Sequence, residues 1–201
     1  MSGVASAIFG PIADAKDILY DPFFGNNGET IAAAPDGRLY TSISTGSPLL
    51  VRNSGRASCP SAANSAYVID TSPQFNKDIH VTMIGSVGAN SSGVSNQRIY
   101  ARYTSISACY IFDWISDTGF VQIGYRDTAG PHALVSTSVP PVMANTVTQM
   151  DFVIKGTTLQ AGFGGSTNLL VVTDTRFASG LTGFQFFNTG QYLESYECVR
   201  S

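Results

Sequence analysis

Six side chains on three successive predicted strands are of types that recognise sugars. They are Arg98, Tyr100, Arg102, Asp113, Gln122 and Arg126. A tyrosine ring offers a planar apolar face, whereas guanidinium, amide and carboxylate groups pair with hydroxyls. Consecutive strands are usually neighbours in a sheet, so these side chains are predicted to converge on one face and form a glycan-binding surface. The alternative interpretation is a solvated sheet face whose cross-strand Arg–Asp pairs each contribute up to about 1 kcal/mol.

The sequence offers few residues for catalysis. It has only three glutamates, and Asp113 is the best carboxylate on a predicted strand for acid or base chemistry. Its two histidines are His80, which lies opposite an apolar strand face, and His132, which follows a proline in a predicted loop. Their spacing assembles no Ser-His-Asp set, so nucleophilic catalysis is not predicted.

The composition is that of one medium-sized domain rich in small polar residues. The chain has 201 residues and a net charge of −3, and 12% of it is charged, about half the usual share. Its Lys and Arg residues are scattered, which argues against a nucleic-acid partner, because such a partner requires a basic stripe. Its apolar runs are too short to span a bilayer. The N-terminus lacks the positive segment of a signal peptide, so synthesis in a host cytoplasm is expected.

Three widely spaced cysteines form neither a disulfide framework nor a zinc motif. They are Cys59, Cys109 and Cys198. We predict that they are free thiols, packed as small apolar groups in a protein made in a reducing cytosol. A single disulfide between Cys109 and Cys198 is the alternative.

Alternation of apolar and polar residues predicts strands that each turn one face to a core. The apolar positions are Ile79, Val81, Met83, Ile99, Ala101, Tyr103, Tyr110, Phe112, Trp114, Val121, Ile123, Tyr125, Met150, Phe152 and Ile154. Trp114 shares the face of Tyr110 and Phe112, so it is predicted to lie in the core. Turn sequences such as Lys155-Gly156 separate the strands, and no stretch has a helical period. About a dozen strands with short connections predict an all-β protein, a two-sheet antiparallel β-sandwich of the jelly-roll type.

The N-terminal segment differs from the rest of the chain. Pro11 prevents an early helix, and at most one helical turn is expected over residues 14–19. We predict an arm over residues 1–20, which packs on a neighbouring subunit or a larger particle, and one sandwich domain over residues 21–201. A loosely ordered leader is the alternative interpretation of the arm.

Several motifs follow one another in an order that resembles a known superfamily. They run from DPFFGNNGETI through LLVRNSG, AYVIDTSPQFNKDIHVTMIGSV, RIYARYTSISACYIFDWI, GFVQIGYRD and VTQMDFVIKGTTLQAGF to DTRFASGLTGFQF and YLESYEC. The residues that match individual features are Arg102, Tyr110, Gly156, Asp174, Phe177, Gly180 and Gly183. This order resembles the concanavalin A-like lectin and glucanase superfamily, with its laminin-G-type jelly rolls. The resemblance extends from Asp21 to Val199, and it implies a fold more firmly than an activity.

The resemblance also sets expectations for ligands. Glucanases of the superfamily use a Glu-x-Asp-x-x-Glu strand, which this sequence lacks. Some relatives bind calcium through loop carboxylates, and Asp174 is the best residue for that role here. Because Asp174 has no acidic partner nearby in the sequence, we expect it instead to accept hydrogen bonds from turn amides, and no cofactor is predicted. Family ligands bind on the concave sheet face or its rim loops, which favours the strands from Arg98 to Arg126.

These observations favour a non-catalytic structural and interaction module, expected as a capsid decoration or fibre protein of a bacteriophage virion with glycan binding. Its expected partners are other particle proteins, reached through the arm, and surface glycans. A homo-oligomer is expected, because the edges of both sheets must be covered. The alternatives are a glycan-processing hydrolase or lyase with a non-standard acid–base set, and a lectin exported without a signal peptide.

Overall fold

The computed structural model describes residues 18–43, 51–58, 65–69, 78–86, 96–142, 146–187 and 191–201. These residues form strands, turns and loops, and no helix long and apolar enough to cross a membrane occurs among them. The strands are β1 (Ile18–Asp21), β2 (Tyr40–Ser42), β3 (Val51–Arg52), β4 (Ala57–Ser58), β5 (Ser65–Ile69), β6 (Ile79–Ser86), β7 (Asn96–Ser105), β8 (Ala108–Ile115), β9 (Phe120–Asp127), β10 (Gly130–Ser138), β11 (Val147–Lys155), β12 (Thr158–Phe163), β13 (Leu170–Thr173), β14 (Leu181–Phe187) and β15 (Tyr192–Arg200).

The strands form two antiparallel sheets. The eight-stranded sheet has the order β13-β12-β11-β6-β15-β4-β3, with β1 also paired to β15. The seven-stranded sheet has the order β10-β9-β8-β7-β14-β5-β2. Strands β7, β8 and β9 are direct neighbours, as their chain order predicts. The prediction of an all-β antiparallel sandwich is therefore confirmed.

One hydrophobic core lies between the two sheets. Phe112 of the seven-stranded sheet contacts Phe152 of the eight-stranded sheet, with ring centroids 6.0 Å apart. Trp114 contacts Phe163 at 5.2 Å and is 1% exposed, so its predicted place in the core is confirmed. The predicted alternation holds for the described residues of β6, β8, β9 and β11, since their apolar positions are buried in this core or packed against it.

Strand β7 departs from the predicted alternation near its end. Its pairing with β8 shifts register between Ala101 and Ser105, and Arg102 has a φ of 47°. Against β14 the strand takes three steps from Tyr100 to Tyr103 where its partner takes two, from Gly183 to Leu181. This one-residue bulge reverses the direction of the side chain that follows it. Tyr103 consequently packs beside Tyr100, with ring centroids 5.9 Å apart. The prediction that Tyr103 shares the core face of Ala101 is wrong.

The first described strand begins inside the segment predicted as an arm. Strand β1 pairs with β15, and Leu19 is fully buried in the core. The helical turn expected over residues 14–19 is therefore wrong at its end, where Leu19 is extended. Residues 1–17 lie outside the described residues, so the arm itself stays a prediction.

The two described cysteines are free thiols in separate places. Cys198 lies in the core between the sheets, whereas Cys109 packs on the other face of the seven-stranded sheet. The alternative of a disulfide between them is therefore wrong. Burial raises the pKa of each thiol to about 12, which keeps both protonated at neutral pH. Cys59 lies outside the described residues.

Candidate functional site

A row of polar side chains crosses the seven-stranded sheet on the face turned away from the core. Gln122 of β9 lies opposite Asp113 of β8, and Asp113 lies opposite Arg98 of β7. Arg98 in turn lies opposite Gln185 of β14, a residue that no sequence pattern singles out. We call these four residues the sheet-face row. The predicted convergence of Arg98, Asp113 and Gln122 is what the register produces.

The sheet-face row is joined by hydrogen bonds from end to end. Arg98 pairs with Asp113 through two donors: Nε contacts Oδ1, and Nη2 donates to Oδ2 at 3.0 Å. Gln122 Nε2 donates to the same Oδ2 at 2.8 Å. On the other side, Arg98 Nη1 donates to Gln185 Oε1 at 3.2 Å, and the Tyr100 hydroxyl donates to that oxygen at 2.5 Å. Each carboxylate oxygen of Asp113 therefore has a partner inside the row.

The centre of the sheet-face row is closed to solvent. The side chains of Arg98 and Asp113 are each 9% exposed, and Tyr100 is fully buried. Burial alone would lower the pKa of Arg98, but the Asp113 carboxylate, together with the Tyr100 hydroxyl, outweighs burial and raises that pKa, so the guanidinium stays charged. The cross-strand Arg–Asp pair of the alternative interpretation is present, but its centre is buried rather than solvated. Only Gln122, at one end, is half-exposed.

Two of the predicted residues lie apart from the sheet-face row. Arg126 is half-exposed, and its Nε donates to the carbonyl oxygen of Ile106 in the β7–β8 turn at 3.0 Å. Arg102 leaves the face of Arg98 because of the bulge in β7, and it contacts the hairpin between β11 and β12 in the other sheet. The prediction that Arg102 converges with Arg98 and Asp113 is therefore wrong.

Arg102 forms one wall of a cavity at the end of the sandwich. The cavity has a volume of about 320 Å³, and we call it the rim cavity. Its lining consists of Asp78, Arg102, Gly156, Thr157, Thr175, Phe177 and Ala178. These residues come from the start of β6, the bulge in β7, the β11–β12 turn and the loop between β13 and β14.

Arg102 holds the two sheets together at the rim cavity. Its guanidinium donates to the carbonyl oxygens of Phe177 at 2.8 Å and Gly156 at 2.7 Å, and it lies 3.5 Å from Asp78 Oδ1. That oxygen also accepts a hydrogen bond from the Gly156 backbone N–H at 2.8 Å. Burial lowers the pKa of Arg102, and the nearby Tyr110 and Asp78 partly offset this effect. The side chain is 4% exposed, so its position is fixed from both sheets.

The loop after β13 is anchored beside the rim cavity. The Tyr110 hydroxyl donates to Asp174 Oδ1 at 2.7 Å and accepts the Phe177 backbone N–H at 3.2 Å. The Arg176 backbone N–H donates to Asp174 Oδ1 at 2.9 Å, and the Arg176 guanidinium pairs with Oδ2. The prediction that Asp174 hydrogen-bonds turn amides is therefore confirmed. Both of its oxygens already have partners, one of them cationic, so Asp174 does not fit a calcium ligand.

Gly180 completes this arrangement through a close approach to β7. Its φ is +151°, and a Cβ atom there would lie 2.7 Å from the backbone nitrogen of Tyr103. It would lie closer still to the carbonyl carbon of Arg102. Six residues on which the superfamily resemblance depends therefore meet in one assembly: Arg102, Tyr110, Gly156, Asp174, Phe177 and Gly180.

The open part of the rim cavity presents hydroxyl, carboxylate and aromatic groups. Thr157 and Thr175 are exposed, the Asp78 side chain is 41% exposed, and Phe177 is half-exposed. Hydroxyls both donate and accept hydrogen bonds, and a carboxylate accepts them. Beside an aromatic ring, these groups can bind a ligand that combines many hydroxyls with apolar C–H faces.

Comparison with solved structures identifies the fold. The carbohydrate-binding module CBM66 from Bacillus subtilis has a TM-score of 0.66 at 9% identity, over 81% of this chain and 95% of that one. The exoplasmic/lumenal domain of VIP36 in its Ca2+/Man3GlcNAc-bound form has a TM-score of 0.62 at 9% identity, over 94% and 90%. The fold is that of the concanavalin A-like lectins.

A third similar structure comes from a phage protein. The CBM2 module of the evolved Dit of Lactobacillus casei BL23 phage J-1 has a TM-score of 0.53 at 12% identity, over 94% of this chain and 92% of that one. No protein-family model and no curated protein matches the sequence. The predicted concanavalin A-like sandwich is confirmed, and its likeness to these structures concerns the fold.

The other outer face of this lectin-type sandwich carries a second buried carboxylate. Asp151 of β11 has a fully buried side chain and accepts hydrogen bonds from Gln149 at 3.0 Å and the Gly165 backbone N–H at 2.8 Å. His80 and Thr82 contact it at 3.0 and 3.1 Å. Burial alone would raise the pKa of Asp151, but these hydrogen bonds outweigh burial and hold the pKa below its usual value.

Neither Asp113 nor the Asp151 cluster has the geometry of a catalytic site. Thr82 and Asp151 both approach the same nitrogen of His80, Nε2, whereas a triad needs the nucleophile and the carboxylate on opposite ring nitrogens. Asp113 is buried against Arg98, which does not favour exchange of a proton with a substrate. No group of three or more His, Cys, Asp or Glu side chains suited to hold a metal ion occurs among the described residues.

Proposed function

We propose that this chain is a non-catalytic glycan-binding module and that the sugar binds in the rim cavity. The observation that supports this location is the lining of the cavity. The exposed hydroxyls of Thr157 and Thr175, the half-open carboxylate of Asp78 and the ring of Phe177 surround one opening. The fold supports the class of function, since CBM66 is a carbohydrate-binding module and VIP36 has been solved with Man3GlcNAc.

The chemistry of the rim cavity matches a neutral sugar. Its volume of about 320 Å³ is near the lower end of the range for ligand pockets, about 300 to 1,000 Å³, and fits a short stretch of glycan. Sugar hydroxyls can donate to Asp78 and exchange hydrogen bonds with the two threonines, while the C–H face of the ring lies on Phe177. Arg102 stabilises the walls, because its donors already bind backbone carbonyls of two loops.

The exposed end of the sheet-face row is the second location for a glycan. Gln122 and Arg126 are both half-exposed on the face that the sequence favours. This location is ranked second because the hydrogen-bonding groups of Asp113 and Arg98 are already used by each other and by the neighbouring amide side chains. A sugar there would contact side chains that already hydrogen-bond one another, whereas the rim cavity has solvent-exposed hydroxyl and carboxylate groups.

The proposal is tested by screening the protein against an array of immobilised glycans. We expect wild type to bind a defined set of glycans and the Thr175→Val, Phe177→Leu double variant to lose that set. Thr173→Val is the matched control, because Thr173 is also exposed but does not line the rim cavity. If wild type binds no glycan, the proposed function is wrong. If the double variant binds as wild type does, the location is wrong.

Binding without a metal ion is part of the proposal. VIP36 has been solved in Ca2+-bound forms, but here the best loop carboxylate, Asp174, is engaged by Arg176 and Tyr110. Repeating the array in the presence of EDTA should leave the bound set unchanged. Loss of binding in EDTA that added calcium restores would contradict this part of the proposal.

We further propose that the module acts on a virion, as a decoration or fibre protein attached through its N-terminal arm. The observation that favours this setting is the fold of the phage J-1 Dit module, which matches 94% of this chain. The test is deletion of residues 1–17, which spares β1 and the buried Leu19. The truncated protein should fold and bind glycans but fail to join particles. Truncated protein that still joins particles would rule out the arm as the attachment.

A further inference from the structure

A further surface lies at the edge of the eight-stranded sheet, away from the rim cavity and the sheet-face row. It consists of the first part of the loop after β1, residues 22–30, and the turn between β3 and β4, residues 53–56. Strand β3 is the last strand in the order of that sheet, and β4, β15 and β6 separate it from β11. Two backbone hydrogen bonds link Arg52 of β3 to the loop, at 2.9 Å with Gly28 and 2.8 Å with Glu29. The loop and the turn therefore form one connected surface.

Phe24 is the most prominent residue of this surface. Its side chain is 75% exposed, the largest exposed fraction of any large apolar side chain among the described residues, whereas the preceding Phe23 is fully buried. A single exposed apolar side chain is common on proteins and needs no explanation by itself. What distinguishes Phe24 is the way in which its backbone and its surroundings are fixed.

The backbone at Phe24 is held from both sides. The Arg52 guanidinium donates to the Phe24 carbonyl oxygen at 2.5 Å, and the buried Asp21 carboxylate accepts the Phe23 backbone N–H at 2.7 Å. Phe23 has a φ of 54°, a left-handed conformation that bulky residues rarely adopt. Such strained residues persist where the surrounding structure fixes them, and they cluster at ligand sites. The loop therefore presents the Phe24 ring to solvent from a fixed position.

The turn between β3 and β4 lies beside the Phe24 ring. Asn53 and Arg56 exchange two backbone hydrogen bonds, at 2.8 and 3.2 Å, around Ser54 and Gly55. Both central residues have positive φ, 54° and 75°, as a two-residue type I′ hairpin requires. A Cβ atom on Gly55 would lie 3.7 Å from Cδ1 of the Phe24 ring, so the ring packs over this turn. Most of the ring remains open to solvent.

Three exposed polar side chains lie next to that turn: Asn27, Asn53 and Ser54. The Asn27 Oδ1 atom accepts the Ser54 backbone N–H at 2.6 Å, and the Ser54 hydroxyl donates to Asn53 Oδ1 at 3.3 Å. The amide nitrogens of the two asparagines can donate to a ligand, and the Ser54 oxygen can accept from it. Phe24 is the only large exposed apolar side chain in these two segments, both of which are fully described. An interface with another protein has an apolar core, which one ring among amides does not provide.

We propose that Phe24, Asn27, Asn53 and Ser54 form a further sugar-binding site, which we call the Phe24 platform. The C–H face of a sugar ring stacks on the phenyl ring, while its hydroxyls accept hydrogen bonds from the two amides and donate to Ser54. The platform follows from the geometry of the two segments, and the choice of a sugar as its ligand rests on the proposed function.

The Phe24 platform is an open surface rather than a cavity, so it binds a sugar weakly on its own. On a surface covered with glycans, a molecule held at the rim cavity brings the platform to a high effective concentration of further sugars. The two sites then act together. Loss of the rim cavity still removes binding on the array, because the platform alone does not retain the protein there.

The platform is tested by following the Gly55 backbone amide in ¹H–¹⁵N NMR spectra. The probes are the methyl glycosides of glucose, mannose, galactose and N-acetylglucosamine at millimolar concentrations. Sorbitol is the matched ligand, because it has hydroxyls but no ring. We expect at least one glycoside to shift the Gly55 resonance in a saturable manner, both in wild type and in the Thr175→Val, Phe177→Leu variant, and sorbitol to leave it in place.

Three variants locate the ligand on the ring. Phe24→Ala should weaken the glycoside about tenfold, the effect of losing one aromatic contact. Phe24→Tyr retains the ring and should bind as wild type does. Leu39→Ala is the matched control, because Leu39 is 62% exposed but lies outside the platform. The Phe24 side chain is mostly in solvent, so all three variants should unfold at the temperature of wild type.

Three results would overturn the inference: no saturable Gly55 shift with any of the four glycosides, an equal shift with sorbitol, or a Phe24→Ala affinity equal to wild type. Failure here is distinguishable from failure of the proposed function. Array binding without a Gly55 shift would leave the rim cavity in place and refute the platform. A Gly55 shift in a protein that binds nothing on the array would support the platform and contradict the rim cavity.

Discussion

Strand β7 carries two arginines that each pair with an aspartate from another part of the chain. The two pairs differ in how far the aspartate is exposed to solvent. Arg98 and Asp113 are directly opposite on neighbouring strands, and both side chains are 9% exposed. Arg102 and Asp78 meet at the strand ends, where the arginine is 4% exposed and the aspartate 41%. A carboxylate saturated inside a sheet stabilises the register of its strands. A carboxylate at an open rim retains acceptor capacity for a ligand. The same two residue types therefore support structure at one place and, in the proposed binding mode, recognition at the other.

The largest effect is expected from breaking the buried Arg98–Asp113 pair, which we call the closed pair, in contrast to the open Arg102–Asp78 pair. Asp113→Asn leaves the buried charge of Arg98 without its partner, so the free energy of unfolding should fall by about 3 kcal/mol in urea denaturation. Glycan binding by the folded fraction should be unchanged. The double variant Arg98→Met, Asp113→Leu should lose less than Asp113→Asn, because it removes both charges. A loss below about 1 kcal/mol for Asp113→Asn would contradict a closed, buried pair.

Gly180→Ala should break the open pair through the backbone. The added Cβ would collide with β7 beside Arg102, and the φ of +151° is strained for alanine, so we expect a loss of about 2 to 3 kcal/mol together with weaker glycan binding. Gly130→Ala is the matched control, since its φ is +120° but its Cβ would meet nothing within 4 Å. Equal losses in the two variants would show that the approach to β7 has no effect of its own.

A smaller, pH-dependent effect is expected at Asp151, whose buried carboxylate is held by neutral donors and His80. Its pKa is below the usual value in the folded protein, so its stabilisation is present above the unfolded pKa of about 3.9 and is lost as the pH falls through the folded pKa. Asp151→Asn should cost about 2 kcal/mol at neutral pH. Urea denaturation from pH 6 to pH 3 should show a smaller decline for Asp151→Asn than for wild type. Parallel pH curves would contradict this assignment.

The sequence predicts the closed pair better than the open one, for a physical reason. Period-two alternation and chain order place Arg98 beside Asp113, because both rules describe regular neighbouring strands. The bulge that turns Arg102 to the other sheet follows no periodic pattern, so alternation places Arg102 on the face of Arg98. Gln185 was missed because β14 lies beside β7 through a long connection rather than a short turn.

The rim cavity is not predicted by the sequence, although three of its seven lining residues match features of the superfamily. Arg102, Gly156 and Phe177 match the superfamily pattern, but their contact depends on loops from both sheets. Alternation gives Asp151 only as a position opposite Met150 and Phe152, because most of its donors come from the neighbouring strand β6 and from the turn at Gly165. Alternation shows which side of a strand is polar. It does not show which polar groups meet at strand ends.

The most direct test of the account compares two variants on one ligand. The glycan bound best by wild type on the array is titrated calorimetrically into Thr175→Val, at the rim cavity, and Gln122→Met, at the exposed end of the sheet-face row. We predict that the dissociation constant rises about fivefold or more for Thr175→Val and stays within twofold for Gln122→Met. A weakened Gln122→Met beside an unchanged Thr175→Val would contradict the rim cavity as the binding site and return the sugar to the sheet face.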